Sequence, residues 1–436
     1  MKAADAPSRF DNLPGWLRAE TGIGRNNALA LALMAALPAI IGSAVSVLVA
    51  VFFVWAIVSL VLGRFPWRLT RSDRFAATVF TLFVFAIAAT ALLGANRELI
   101  PGATYWLVPF LSLWVIIPRL RASPEVDGLN AYVTGAAFGA IAAFIAAVMQ
   151  MAITGARPEA ASGNAAVFAM MALQLALIAG LNIDHPDKRF ARLAAIATFL
   201  GAGATLLSLT RGVALAALPL LVLAFLYAPR AWMRRRWIVA GAVIAILCLA
   251  FFFGAKLLSG RFDQTIEELT LVLTGEHSKN VGERLRLWTA SIEAIANSPL
   301  WGHGIQNRMQ AIAQILVDDG LPVRMFTHPH NGLLTTALDG GAIGVAAVLA
   351  LLAAPVVIAL RAPADERYRK RLFLALFLSL GYAFCGMTQI MFNHDIMDSF
   401  FIFTTIVIAS SIREKEGETG ERFAPVRMRS LPPEAS

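Results

Sequence analysis

Apolar runs of roughly 17–25 residues, the length that crosses a bilayer as a helix, alternate with short polar connections along most of the chain. The first run, 27–63, is too long for one crossing. Pro38 and Gly42-Ser43 break it near its middle, which predicts two helices, 28–41 and 44–62, joined by a tight turn. Further spans are expected at 75–94, 104–118, 129–153, 164–182, 191–209, 212–228 and 237–258, and then at 333–360, 372–390 and 396–412. The expectation is an all-α polytopic membrane helix bundle of about 12 transmembrane helices. One long polar segment, 260–332, interrupts the series and is expected to contain short helices. Small residues recur within the spans, as from Gly135 to Ala147 and from Gly201 to Ala204, and predict close helix packing.

Charge tests this count. With the N-terminus inside, the short inward loops hold Arg64, Arg68, Arg71, Arg74, Arg119, Arg121, Lys188, Arg189, Arg192, Arg230, Arg234, Arg235, Arg236, Arg361, Arg367, Arg369, Lys370 and Arg371. The short outward loops hold Arg97, Arg157 and Arg211. Lys/Arg bias in short loops sets orientation, so both termini are expected on the cytoplasmic side and segment 260–332 outside. The chain then divides into a cytoplasmic N-terminal segment 1–26, helices 1–9 over 27–259, the large outward loop 260–332, helices 10–12 over 333–412, and a charged, disordered cytoplasmic tail 413–436.

Composition agrees. The chain is 58% hydrophobic and 15% charged, against about 45–50% and about 25% for soluble domains. The net charge of +9 follows from the inward clusters, and membrane topology accounts for it better than nucleic-acid binding does. Cys248 and Cys385 lie inside apolar spans, so a structural disulfide is not expected. Residues 1–26 are polar and show no cleavable signal.

Candidate chemistry concentrates in and near the outward loop. Arg211 stands at the outer end of the tightest helix pair, against the charge pattern. A guanidinium at headgroup level suits a lipid-linked phosphate, which it can bind through two oxygens. Arg284 and Arg286 precede Trp288 on an expected amphipathic helix, and residues two apart on a helix face different ways. Either arginine could therefore be the one that meets a partner. Three of the six histidines lie between Gly302 and Asn331. His303, between two glycines, reads as a turn residue. His328 and His330 flank Pro329 and could serve as a metal pair or as a general base toward a sugar hydroxyl. No third ligand is evident, so no metal and no cofactor are expected. No phosphate loop, hydrolase triad, zinc-protease helix or dinucleotide fingerprint appears. The spans also lack the buried carboxylate chains of a coupled carrier.

Leu209-Thr-Arg-Gly212, Arg284 with Trp288, Pro299-Leu-Trp-Gly-His-Gly304, His330-Asn-Gly-Leu-Leu334 and Asp339-Gly-Gly-Ala-Ile-Gly344 occur in this order. In that order and topology the chain resembles the O-antigen ligase and polymerase superfamily of integral membrane glycosyltransferases. The resemblance implies a metal-independent inverting transferase of the bacterial inner membrane with its active site facing the periplasm. It implies an undecaprenyl-diphosphate-linked glycan as donor and lipid A-core oligosaccharide as acceptor. It further implies Arg211 and Arg284 as the diphosphate clamp and His330 as the base. Arg286, His328, Asn331 and Trp288 are candidate substrate contacts, with Arg286 an alternative to Arg284 and His328 to His330. A polymerase with the same donor is the alternative within the family, and a lipid-linked sugar transporter lies outside it.

Overall fold

The computed structural model describes residues 22–93, 107–228, 270, 279–320 and 326–413. Among them are thirteen α-helices and no strand. In chain order these are α1 Ile23–Ala36, α2 Ala44–Val61, α3 Arg71–Leu93, α4 Leu113–Arg121, α5 Gly128–Thr154, α6 Ala165–Ala179, α7 Lys188–Leu207 and α8 Arg211–Tyr227, followed by α9 Lys279–Asn297, α10 Arg308–Asp318, α11 Gly332–Leu360, α12 Tyr368–Gly386 and α13 Asp395–Ser410. By length and composition, six helices among the described residues can cross a membrane: α2, α3, α5, α6 with its 3₁₀ extension to Asn182, α7 and α11. The chain is a polytopic membrane helical bundle.

Most expected spans coincide with a helix to within a few residues. The expected span 237–258 lies outside the described residues, as does most of 229–278. Two spans differ in detail. The span expected at 104–118 is a 3₁₀ turn, Val108–Ser112, running into α4. The first helix starts earlier than its apolar run, at Ile23, because polar Asn27 is buried and donates to Arg119 O (3.0 Å) and Ser123 Oγ (2.8 Å).

Two helices form the centre. Every residue of α6 is buried, and nearly all of α13 is; a helix apolar on all sides belongs in the core. Around them small residues permit close approach. A Cβ on Gly135 or Gly139 of α5 would fall on the backbone of α1 at Ala32 or Ala36. The outer helices expose large apolar side chains, including Phe138, Ile145 and Ile153 of α5 and Leu215, Leu218 and Val222 of α8. Bilayer lipid accounts for these.

The basic residues at one end of the bundle also hold it together. Arg121 pairs with buried Asp73 at 2.7 Å and donates to Ile412 O and Ala409 O at the C-terminus of α13. Arg369 donates to the last carbonyls of α8, at Leu226 and Tyr227. Cations at helix C-termini satisfy orphan carbonyls and oppose the helix dipole.

At the other end α5 and α7 finish, α6, α8 and α11 begin, and α9 and α10 pack. Helix α11 is broken at Gly341 (φ 58°, ψ −151°). The break leaves carbonyls and N–H groups without helical partners, and the turn 299–304 supplies them. His303 N donates to Leu338 O (2.6 Å) and Gly304 N to Asp339 O (3.1 Å), while Ala342 N donates to Pro299 O (2.8 Å). Gly302 (φ 69°) sits against Gly340 and Gly341, where a Cβ would have no room. His303 is a turn residue, as expected, and its Nε2 lies 2.7 Å from Ala294 O of α9. The two glycine motifs are thus halves of one joint.

Candidate active site

A cavity of about 600 Å³ opens at this end of the bundle. Five segments wall it: the α5–α6 connection with the first residues of α6, the start of α8, the start of α9, the loop before α11 and Gln389 of the α12–α13 connection. Arg211, Arg284 and His330 all line it, although they lie far apart in sequence. Of the other candidates, Arg286, Trp288, His328 and Asn331 do not line it. The register of α9 therefore separates Arg284 from Arg286, which is half-buried on another face.

Arg211 opens α8 two residues after Leu209, which is in a left-handed conformation (φ 56°). A bulky residue in that region costs about 1–3 kcal/mol and marks a turn held by its surroundings. Here the surroundings include Arg157, which donates to Ser208 O (3.0 Å) and Thr210 Oγ1 (3.0 Å). Gly212 lies against the Thr388 side chain, where a Cβ would collide. The start of α8 is thereby seated beside Gln389, another lining residue. Arg157 itself lines the cavity, as do Glu159 and Glu283. Sequence reading did not single out these three. Arg157 was visible only as an outward charge, and its partners lie 51 and 53 residues away.

The backbone adds positive potential. Thr210 caps α8 by position, yet its hydroxyl is engaged by Ala165 O and Arg157 and makes no cap bond to its own helix. Helix α6 begins in the same wall, where Asn164 Oδ1 accepts from Ala166 N and Val167 N. Helix N-termini carry partial positive charge and favour anions. Two of them and three arginines converge here. That set can hold a diphosphate without a metal ion, since guanidinium groups bind phosphate oxygens directly. No group of three or more metal-ligating side chains occurs among the described residues.

His330 is held in a left-handed conformation (φ 54°) one residue before the cap of α11. Asn331 Oδ1 accepts from Leu333 N and Leu334 N, so its side chain caps the helix. The His330 ring packs edge-on against Phe326 (5.6 Å between centroids) and His328 (4.6 Å). Burial holds the His330 imidazole below its ordinary pKa, and the charge of Arg284 lowers it further. The ring is therefore neutral at physiological pH, as a proton acceptor requires. His328 is 7% exposed and is pushed down to about 4, first by burial and then by His330 and Arg308. Beneath the pair, Arg308 binds buried Asp339 at 2.9 Å, and Asn393 Nδ2 donates to the same carboxylate oxygen at 3.2 Å. This knot joins α10, α11 and the α12–α13 connection.

The fold and cavity define a polytopic membrane protein with a cationic, histidine-bearing site at one end of its helix bundle. Residues 196–349 match the family model described as O-antigen ligase, and this supports the chain's place in the O-antigen ligase and polymerase superfamily. The matched stretch includes Arg211, Arg284, His330 and the Asp339-Gly-Gly joint, and it begins after Arg157. No curated protein matches the chain.

Proposed function

We propose that the chain is an O-antigen ligase that moves a glycan from undecaprenyl diphosphate to the lipid A-core oligosaccharide at the periplasmic face of the inner membrane. The observation that carries the proposal is the convergence of Arg211, Arg284 and His330 on one cavity. Arg211 and Arg284 clamp the donor diphosphate, with Arg157 and the N-termini of α6 and α8 adding to the positive field. His330 takes the proton from the acceptor hydroxyl as that oxygen attacks the anomeric carbon from the face opposite the diphosphate. The anomeric configuration inverts, and undecaprenyl diphosphate leaves with the bonding electron pair. Charge builds on the leaving phosphate, where fixed cations are most effective. The reaction needs no metal and no cofactor, because arginine supplies the charge and the diphosphate is already a competent leaving group.

The polymerase reading uses the same donor and clamp but a lipid-linked acceptor. Glycans of a null strain separate the two: bare core identifies a ligase, and single repeats on the core identify a polymerase. A transporter of lipid-linked sugar would move donor across liposomes without forming a glycosidic bond.

A further inference from the structure

Helix α9 carries more than the cavity arginine. Trp288 lies one turn beyond Arg284, on the same side of the helix at spacing i+4. Its indole N–H donates to Pro329 O at 2.8 Å. Proline has no N–H, so this carbonyl is the only backbone polar group Pro329 can use. The next residue is His330, held at φ 54°. For a non-glycine residue that conformation is strained and persists only where neighbours enforce it. On its other side Asn331 is fixed to α11 by its cap bonds. His330 thus stands between two anchors, one on α11 and one on the helix that presents Arg284. Trp288 is half-buried and does not line the cavity, so its polar atom serves the loop and not the open site.

We infer that Trp288 is a positioning residue. Its indole N–H pins the Pro329 carbonyl and so fixes the reach of the His330 ring from the Arg284 guanidinium. This inference rests on the glycan-transfer reading above and assigns the aromatic side chain a role distinct from stacking on a sugar. Half of the clamp, Arg284, and one of the two anchors of the base thus lie one turn apart on α9.

The test replaces Trp288 in the full-length protein with benzothienylalanine, which keeps the ring shape and substitutes sulfur for the N–H, and separately makes Trp288→Phe. The first readout is the rate at which diethylpyrocarbonate modifies His330 in the absence of substrate, followed by mass spectrometry of the peptide. The second is kcat and KM with undecaprenyl-diphosphate-linked glycan and lipid A-core. Loss of one hydrogen bond of about 1 kcal/mol corresponds to roughly fivefold in the loop equilibrium, and a displaced base lowers turnover further. The expected result is at least threefold faster His330 modification and kcat lowered about tenfold, with KM for both substrates within about twofold. An unchanged modification rate overturns the pin. So does a raised KM at unchanged kcat, which would make Trp288 a substrate contact. If the wild type transfers no glycan, the ligase reading fails on its own, and the modification ratio still decides whether Trp288 holds the loop.

Discussion

The joint between turn 299–304 and the break in α11 can be tested by adding single methyl groups. Gly341 has φ 58° and ψ −151°, a region that only glycine occupies freely, and side-chain residues there cost about 1–3 kcal/mol. A Cβ on Gly341 would also fall on the Leu300 carbonyl, and overpacking of this kind adds about 1–3 kcal/mol. Gly341→Ala is therefore expected to cost about 2–6 kcal/mol by the sum of these two effects. Gly302→Ala carries the same two costs, since its φ is 69° and its Cβ would meet the backbone of Gly340 and Leu338. Gly304→Ala is the control: its φ is 83°, yet a Cβ there meets nothing within 4 Å, so only the conformational cost of about 1–3 kcal/mol applies. Thermal unfolding of the detergent-solubilised protein, followed by loss of the monodisperse peak, ranks the three variants. Gly341→Ala and Gly302→Ala should unfold at clearly lower temperature than Gly304→Ala. Equal shifts for all three would refute the docking of the turn into the break.

The arginines should separate by position. Arg211→Ala and Arg284→Ala are expected to lower kcat/KM for glycan transfer at least about 100-fold, the scale of a lost charge stabiliser, while Arg286→Ala stays within about threefold. In a pH series the acid limb of kcat/KM should fall below 6.5, because burial and Arg284 favour neutral His330; a limb at or above 6.5 would contradict that environment. His328 gives a stability effect of defined sign. Its folded pKa of about 4 lies below the unfolded value of 6.5, so the unfolded state binds the proton first and stability falls as pH drops from 6.5 toward 4. The loss is on the order of 3 kcal/mol, it should be absent in His328→Gln, and unfolding temperature against pH in both proteins measures it. Asp339→Asn leaves buried Arg308 without its carboxylate and is expected to destabilise by about 3–5 kcal/mol in the same unfolding assay, whereas the Asp339→Asn, Arg308→Met double variant should recover part of that loss.

Much of the architecture was readable because apolar length is a strong signal. The spans at 44–62, 129–153 and 333–360 reappear as α2, α5 and α11 with ends shifted by at most one residue. The start of α1 was missed because Asn27 reads as polar surface, while in the fold it is a buried bond to α4 and the residues after it. Arg211 and His330 stood out because charged and imidazole groups are rare beside the outward ends of apolar spans, and Arg284 because it precedes Trp288 on an amphipathic stretch of the outward loop and matches a motif of the family. The remaining parts of the site depend on contacts between distant residues. Arg157 became notable only through Ser208 and Thr210, and Arg308 only through Asp339. The choice of Arg284 over Arg286 needed the register of α9 against the bundle, which periodicity alone does not set. His303 was legible as a turn residue from its flanking glycines, but not the broken helix that receives the turn.

The most direct test mixes purified protein with undecaprenyl-diphosphate-linked glycan, lipid A-core and excess EDTA, and compares wild type with His330→Ala at matched expression and unfolding temperature. The account predicts glycan on lipid A-core with the wild type, undiminished by the chelator, and none above background with His330→Ala. Normal transfer by His330→Ala would contradict the assignment of the base, and longer glycan on the carrier lipid with none on lipid A-core would make the protein a polymerase.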